Sequence, residues 1–367
     1  MSVVIEDKTD SLTLTHYSNV SEDTSDFVKR TRGKIVNEKE EVVCSSYGYT
    51  PEYTVKVDHE KYKSQLTDMN DCTIYRSEEG SLLRLFFNDN KWNLSTHKRI
   101  DAFSSRWSST KTFGEWFTIA LEYFFLHGEG KDTVTFENKD ELYDCFCDTL
   151  DRTLVYTFLL RTNQDTKISC KSPEHPTIFF TGAFKDEKRV KEVKNQIPSP
   201  LQVTFTAVEE LEEYVMSLDP YEHQGVIVIL PDETTLKIMH PTTMSSKAIR
   251  GSEPDIRAAY FRIRKSKEDI LLFTQLFPNV DTKYIESQLY YMVKYLHSMY
   301  VRRYIKKLYT VVHPVLFSIM YIAHNWHVLD RVNNIVTLDK MMDIIDEQPH
   351  YKLFRLFNEY VDQKKSL

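Results

Sequence analysis

Glycine and proline are scarce in this 367-residue chain, at 9 and 12, which leaves little material for flexible linkers or low-complexity tails. No internal repeat is evident. Cysteine is sparse and odd in number, with Cys44, Cys72, Cys145, Cys147 and Cys170 scattered along the sequence. That usage fits a reducing compartment better than a disulfide framework. Cys145 and Cys147 stand too close for a zinc knuckle and have no matching second pair, so no metal site is expected. A basic surplus is also missing: 47 Lys and Arg face 54 Asp and Glu, for a net charge of −7. This argues against nonspecific coating of nucleic acid, although local basic patches remain compatible with it. No apolar run approaches the roughly 20 residues of a spanning helix. Residues 1–13 carry acids and hydroxyls where a signal peptide has a basic and then an apolar region. A soluble intracellular protein is expected.

What the chain has in quantity is aromatic residues, 22 Tyr and 21 Phe, within 41% hydrophobic content. Between residues 35 and 101, period-two alternation predicts short strands at 41–44, 53–57, 81–87 and 91–95, with Asn88-Asp89-Asn90 as a hairpin turn. Phe113, Trp116, Phe117, Ala120, Leu121, Phe124 and Phe125 recur at helical spacing and predict a helix over 112–127 whose aromatic stripe is core. A helix over 139–150, strands at 154–160 and 167–170, a helix at 207–216 and paired strands at 225–230 and 234–239 follow. After Pro254 the texture turns helical, with segments at 255–264, 266–277 and 282–308. His324, Trp326 and His327 read as packed core on a further helix. The fold class is α+β: an antiparallel-β domain followed by an all-helical C-terminal domain. The expected division is an extension over 1–30, a mixed domain over 31–260 and a helical domain over 261–367.

Several short segments follow one another along the chain. Arg32-Gly33 precedes the strand Glu41-Val42-Val43-Cys44. Ser77-Glu78-Glu79-Gly80-Ser81 leads a hydrophobic strand, a turn, and a segment ending Thr96-His97-Lys98-Arg99. Tyr156 to Asn163, Gln224-Gly225-Val226-Ile227-Val228 and Leu236-Lys237-Ile238-Met239-His240 come later. In this order they resemble the nucleotidyltransferase motifs of the T-even phage RNA ligase family. The segment Ile249-Arg250-Gly251-Ser252-Glu253-Pro254 and the basic run Arg302-Arg303-Tyr304-Ile305-Lys306-Lys307 are similar to ligase-like proteins of large double-stranded DNA viruses.

The resemblance implies a ligase-like fold that uses ATP with magnesium and acts on RNA ends, in a host cytoplasm if viral. Such enzymes load AMP onto a lysine and need carboxylates for the metal and lysines for the phosphates. Here Ser77 occupies the lysine position, Leu159 stands where the third motif has a carboxylate, and Gln224 replaces the glutamate of the fourth. The residues expected to bracket a nucleotide are Arg32, Glu79, Gly80, Lys98, Gln224 and Lys237. Arg302, Arg303, Lys306 and Lys307 are expected at nucleic acid. No membrane partner is expected. The leading reading is a fold that binds ATP or RNA ends but is degenerate in lysine adenylation. One alternative is an active ATP-dependent RNA ligase using another lysine, such as Lys98 or Lys63, or taking pre-adenylated RNA. A non-enzymatic interaction protein is the other.

Overall fold

Alternating apolar residues sort themselves onto opposite faces of three sheets, and the faces decide where each core forms. The computed structural model describes residues 3–128, 130, 141–164 and 168–365. The chain divides into two compact units, Met1–Lys247 and Ala248–Leu367. In the first unit, sheet A pairs β1 (Val3–Lys8), β2 (Leu12–Tyr17), β3 (Lys34–Asn37) and β4 (Val42–Cys44) in that order. Sheet B has the order β12 (Gln202–Val203), β6 (Thr73–Ser77), β13 (Gly225–Ile229), β14 (Thr235–Met239), β5 (Glu52–Thr54). Sheet C runs β11 (Lys188–Val190), β10 (Thr177–Lys185), β9 (Val155–Arg161), β7 (Ser81–Asn88), β8 (Lys91–Thr96). Every pairing is antiparallel except β14 with β5, whose parallel register sets Lys237 opposite Glu52.

Helices cover one face of sheets B and C. Leu83, Leu85, Tyr156, Phe158 and Leu160 of sheet C pack beneath α3 (Phe113–His127) and α4 (Leu142–Asp148). Trp116, Phe117, Ala120, Leu121 and Phe125 supply the helix side, as their spacing predicted. Thr112 and Glu115 close the N-terminus of α3 as a capping box. On sheet B, Ile74, Val226, Val228, Leu236 and Ile238 pack with residues of α2 (His59–Lys63) and α5 (Val208–Ser217). A fully buried side chain of this kind contributes about 1.5–3 kcal/mol.

The opposite faces of B and C look toward each other. Tyr75 and Ile229 from B meet Leu82, Val155 and Phe184 from C around Tyr47. Leu12, Leu14, Ile35 and Cys44 of sheet A pack against Phe86 of sheet C. The chain crosses from B to C through Glu78, Glu79 and Gly80. Asp89 and Asn90 both have positive φ, 50° and 59°, and make the tight β7–β8 hairpin as the sequence indicates.

Two predicted elements differ. Ile168, Ser169 and Cys170 form no strand, because their backbone N–H groups are taken by a carboxylate and not by a neighbouring strand. Residue 167 and residues 139–140 of the predicted helix lie outside the described residues.

The second unit is helical: α6 (Pro241–Arg250) leads into it, and α7 (Ile256–Ile263), α8 (Lys267–Leu276), α9 (Thr282–Tyr300), α10 (Pro314–Leu329), α11 (Leu338–Asp346) and α12 (His350–Lys365) follow. Its core joins Phe261, Phe273, Leu289, Met292, Leu316, Met320 and Phe357 among others. The helix predicted over 282–308 ends at Tyr300. Val301–Ile305 widens into a π turn that stacks Tyr304 on His324, ring centroids 3.9 Å apart. Lys307 then leaves the helix at φ 57°.

A candidate anion-binding cleft between two sheets

Strand alternation puts a polar row between sheets B and C. Since Leu236 and Ile238 point into the helix-covered core, Lys237 points the other way. Its Nζ lies 3.6 Å from Glu52 Oε1, and Lys247, in the second turn of α6, is ion-paired to Glu52 Oε2. Arg32 follows the short helix α1 (Asp26–Lys29) and donates from Nη1 to the Gly48 carbonyl at 3.1 Å. Its charge reaches both Lys237 and Glu52.

Burial lowers the pKa of Lys237; Glu52 opposes this, and Lys247 and Arg32 add to it. Arg32 is likewise held below its ordinary value, first by burial. Burial pushes Glu52 up, but Lys237 and Lys247 outweigh it and bring the carboxylate below the usual range. Lys237 and Lys247 thus share one half-buried carboxylate with the Arg32 charge nearby, an arrangement that favours a further anion.

The Arg32-Gly33 turn is fixed from beneath. Gly33 has φ 68°, and a Cβ there would lie 2.8 Å from Arg84 Nη1, His97 Cα and His97 O. Arg84, wholly buried on β7, donates to the carbonyls of Gly33 and Thr96. Burial, then Arg32, Arg84 and His16, hold the His97 pKa well below the ordinary histidine value, so the imidazole is neutral. Lys98 is exposed in the turn after β8, on the side of His16, whose pKa burial lowers with help from Arg32 and Lys98.

Ser77 ends β6 and is 3% exposed. Its carbonyl accepts from Gln224 N at 3.0 Å, and Gly225 sits opposite it in register. Gly225 has φ 139°, and a Cβ would collide with the Ile238 carbonyl, so only glycine fits at the start of β13. Gln224 is buried and its Nε2 lies 3.3 Å from Glu79.

Glu79 is already engaged. Its carboxylate accepts from the backbone N–H of Ile168, Ser169 and Cys170 at 2.6, 2.8 and 2.9 Å, and from Ser169 Oγ at 2.7 Å. Glu78 is equally occupied, by Arg161 at 2.6 Å, Arg76 at 2.9 Å and His223 at 3.3 Å. Leu159 and Gln224 bring no charge. Glu52, Glu78 and Glu79 are all committed to protein donors, and no cluster of three metal-ligating side chains occurs among the described residues. Among the described residues no uncommitted carboxylate is left here for a magnesium ion, whereas ammonium and guanidinium groups have the chemistry to bind phosphate oxygens.

The residues named from the sequence fall into separate places. Arg32 and Lys237 meet around Glu52, with Ser77 farther along the same sheet. Glu79, Gly80 and Gln224 cluster at the crossing between sheets. Arg302 and Arg303 lie in the π turn of the second unit and Lys306 and Lys307 just beyond it, all exposed. Arg303 lies over the Phe317 ring at 4.8 Å. Glu52, Arg84, His97 and Lys247 were not singled out by sequence. Glu52 adjoins the predicted 53–57 strand, and Lys247 follows from the unread helix after Pro241.

The protein is mixed α+β, with facing, mainly antiparallel sheets, a cluster of cationic side chains around Glu52 between them and a helical unit later in the sequence. It is similar in structure to ATP-dependent polynucleotide ligases. An Aquifex aeolicus protein assigned as an ATP-dependent DNA ligase aligns over 77% of this chain and 71% of its own, at 12% identity and TM-score 0.43. An archaeal ATP-dependent RNA ligase aligns over 74% and 66%, at 11% identity and TM-score 0.43. A Naegleria gruberi RNA ligase with AMP and Mn aligns over 54% and 57%, at 7% identity and TM-score 0.34. In sequence the chain is similar to the immediate-early protein ICP-46 homologues of two viruses. That of Invertebrate iridescent virus 6 is 26% identical over 283 residues, 73% of this chain and 61% of the relative. That of Invertebrate iridescent virus 3 is 24% identical over 295 residues, 78% and 63% respectively. The chain thus spans less than two thirds of the curated relatives it matches. No protein-family model matches it.

Proposed function

We propose that this chain binds the phosphates of a nucleotide, ATP first among them, or of an RNA end, in the cleft between sheets B and C, without forming a nucleotidyl-lysine at position 77. The observation that carries this reading is the set Arg32, Lys237 and Lys247 around the single carboxylate Glu52. Ser77 offers a hydroxyl in the place of an amine and cannot make the phosphoramidate through which a ligase transfers AMP. Neutral Leu159 and Gln224 remove the charge that would position a metal.

A second reading has one observation in its favour. The lowered pKa of Lys237 makes its neutral amine more accessible, as an attacking lysine requires. In that case the protein is an active RNA ligase using a lysine other than one at position 77. Incubating purified protein with α-labelled ATP or GTP and magnesium or manganese, followed by denaturing electrophoresis and peptide mapping, separates the two. The first reading expects nucleotide binding with no covalent band. A band mapping to Lys237 establishes the second, and absence of any nucleotide or RNA binding removes both.

A further inference from the structure

A second recess opens beside β12, the edge strand of sheet B opposite the β5 edge that carries Glu52. Between the two edges stand β6 and β13, whose Tyr75 and Ile229 pack with Tyr47 and Phe184. The recess has two lobes, of about 220 and 250 Å³, that share Tyr75, Arg189 and Lys191. One lobe adds Asn195, and the other adds Glu233 and Asp71. Each lobe is smaller than the roughly 300–1,000 Å³ of clefts that bury drug-sized ligands. The space suits a small molecule with one end in each lobe.

Several buried polar atoms around it are left without partners. Arg189 on β11 has a side chain 12% exposed, its Nη1 lies 3.8 Å from Glu233 Oε2, beyond hydrogen-bond reach, and its Nε has no hydrogen-bond partner. The Tyr47 hydroxyl beside Arg189 supplies no counter-charge: burial pushes its pKa up to about 12, and it donates to the Thr181 carbonyl at 2.5 Å. Glu233 Oε2 is buried and has no donor. Asn195 donates from Nδ2 to the Ile197 carbonyl at 2.7 Å, which fixes the amide and leaves its buried Oδ1 open. Lys191 and Asp71 add one exposed charge of each sign.

Buried donors and acceptors are almost always hydrogen-bonded, so an open donor and two open acceptors at one recess call for an occupant with both kinds of group. A phosphate or a dicarboxylate would meet Arg189 and Lys191, but it brings no donor for Asn195 and is repelled by Glu233 and Asp71. A polyamine suits the carboxylates and is repelled by the two cations. A zwitterion satisfies both sets. We infer that this recess binds an α-amino acid, its carboxylate on Arg189 and Lys191, its ammonium toward Glu233 and a side-chain donor toward Asn195. An amide or hydroxyl side chain supplies that donor. The site is independent of the phosphate cleft proposed above.

The test is saturation-transfer NMR on the full chain with an equimolar mixture of the twenty L-amino acids, followed by calorimetric titration of the strongest binder and of its N-acetyl derivative. It is run on the wild type, Arg189→Gln, Glu233→Gln and Lys237→Ala. An amino acid with an amide or hydroxyl side chain is expected to bind the wild type and Lys237→Ala alike. Arg189→Gln and Glu233→Gln should each bind it at least about tenfold more weakly. The N-acetyl derivative, which lacks the ammonium, should not bind, and ATP should not displace the amino acid. Absence of amino-acid binding to the wild type leaves the recess to water and overturns the inference. Binding confined to apolar amino acids, undiminished binding by Arg189→Gln or Glu233→Gln, equal binding of the N-acetyl derivative, or displacement by ATP overturns it too. The N-acetyl and ATP comparisons use the wild type alone and hold even where a variant fails to fold. Because Lys237→Ala alters only the opposite edge of sheet B, a failure of ATP binding leaves the amino-acid result readable.

Discussion

The guanidinium of Arg84, fully buried on β7, donates to the carbonyl of Gly33, 51 residues earlier in the chain. A side chain at position 33 would lie 2.8 Å from that same guanidinium and from the His97 backbone. Arg32 is therefore aimed by a turn that has no room to adjust.

Gly33→Ala should cost on the order of 2 kcal/mol or more, since it combines an unfavourable positive φ with a backbone clash. Urea unfolding measures the loss. Nucleotide affinity, measured on the fraction still folded, should fall with it because Arg32 is displaced. Wild-type stability in the variant would show that the turn can relax and that Arg84 does not fix it.

Lys237→Ala should weaken ATP binding by about 10–100-fold, the loss of one charge-assisted contact worth roughly 1.5–3 kcal/mol. Binding should also decline with rising pH earlier than an ordinary lysine would require, because burial first, then Lys247 and Arg32, hold this ammonium down against Glu52. Without ligand the sign reverses for folding. The unfolded chain holds the Lys237 proton more tightly than the folded one does. Stability from this group therefore rises between its depressed folded pKa and the ordinary lysine value. Calorimetric titration across alkaline pH, in wild type and Lys237→Ala, reads both effects.

Glu52→Gln should separate affinity from stability. The carboxylate competes with any phosphate for Lys237 and Lys247, so its removal should tighten ATP binding several-fold while lowering the unfolding midpoint. In the wild type Glu52 titrates below the usual carboxylate range. Its stabilising contribution is present above the unfolded carboxylate pKa and is lost as pH falls through the lower folded value. A Glu52→Gln protein that binds ATP more weakly than wild type would show that Glu52 contacts the ligand favourably.

Glu79→Ala should leave the backbone N–H groups of Ile168, Ser169 and Cys170 without their acceptor, at about 2–3 kcal/mol. The first effect should be local. Limited proteolysis should cut near Lys171 well before global unfolding, whereas uncut protein would mean that other groups hold the loop.

Periodic segments were the legible part of the sequence. The Phe113–His127 helix, the Ser81–Asn88 and Lys91–Thr96 hairpin and the Gly225–Ile229 and Thr235–Met239 pair all carry strong alternation or helical spacing. The segment at 168–170 misled because its Ile and Cys suggest a strand, while Glu79, some ninety residues away, claims the N–H groups a strand would use. The end of α9 was hidden by a basic run that favours helix locally but yields to the stacking of Tyr304 on His324. In the cleft, Lys237 stood out as a cation inside an apolar strand. Its partner Glu52 carries no such mark, since only the parallel β14–β5 pairing brings the two together.

That pairing also bears on the order of assembly. Most of the first unit's sequence lies between Glu52 and Lys237, so the contact between them has very high sequence separation and a large loop-closure cost. During synthesis the β7–β8 hairpin and α3 can form from neighbouring residues. The edge strand β5 has no β14 to join until the chain has been made past Met239. The cationic pocket is thus among the last parts of this unit to come into being, and a nascent chain stopped before β14 carries Arg32 and Glu52 without the lysines that complete it.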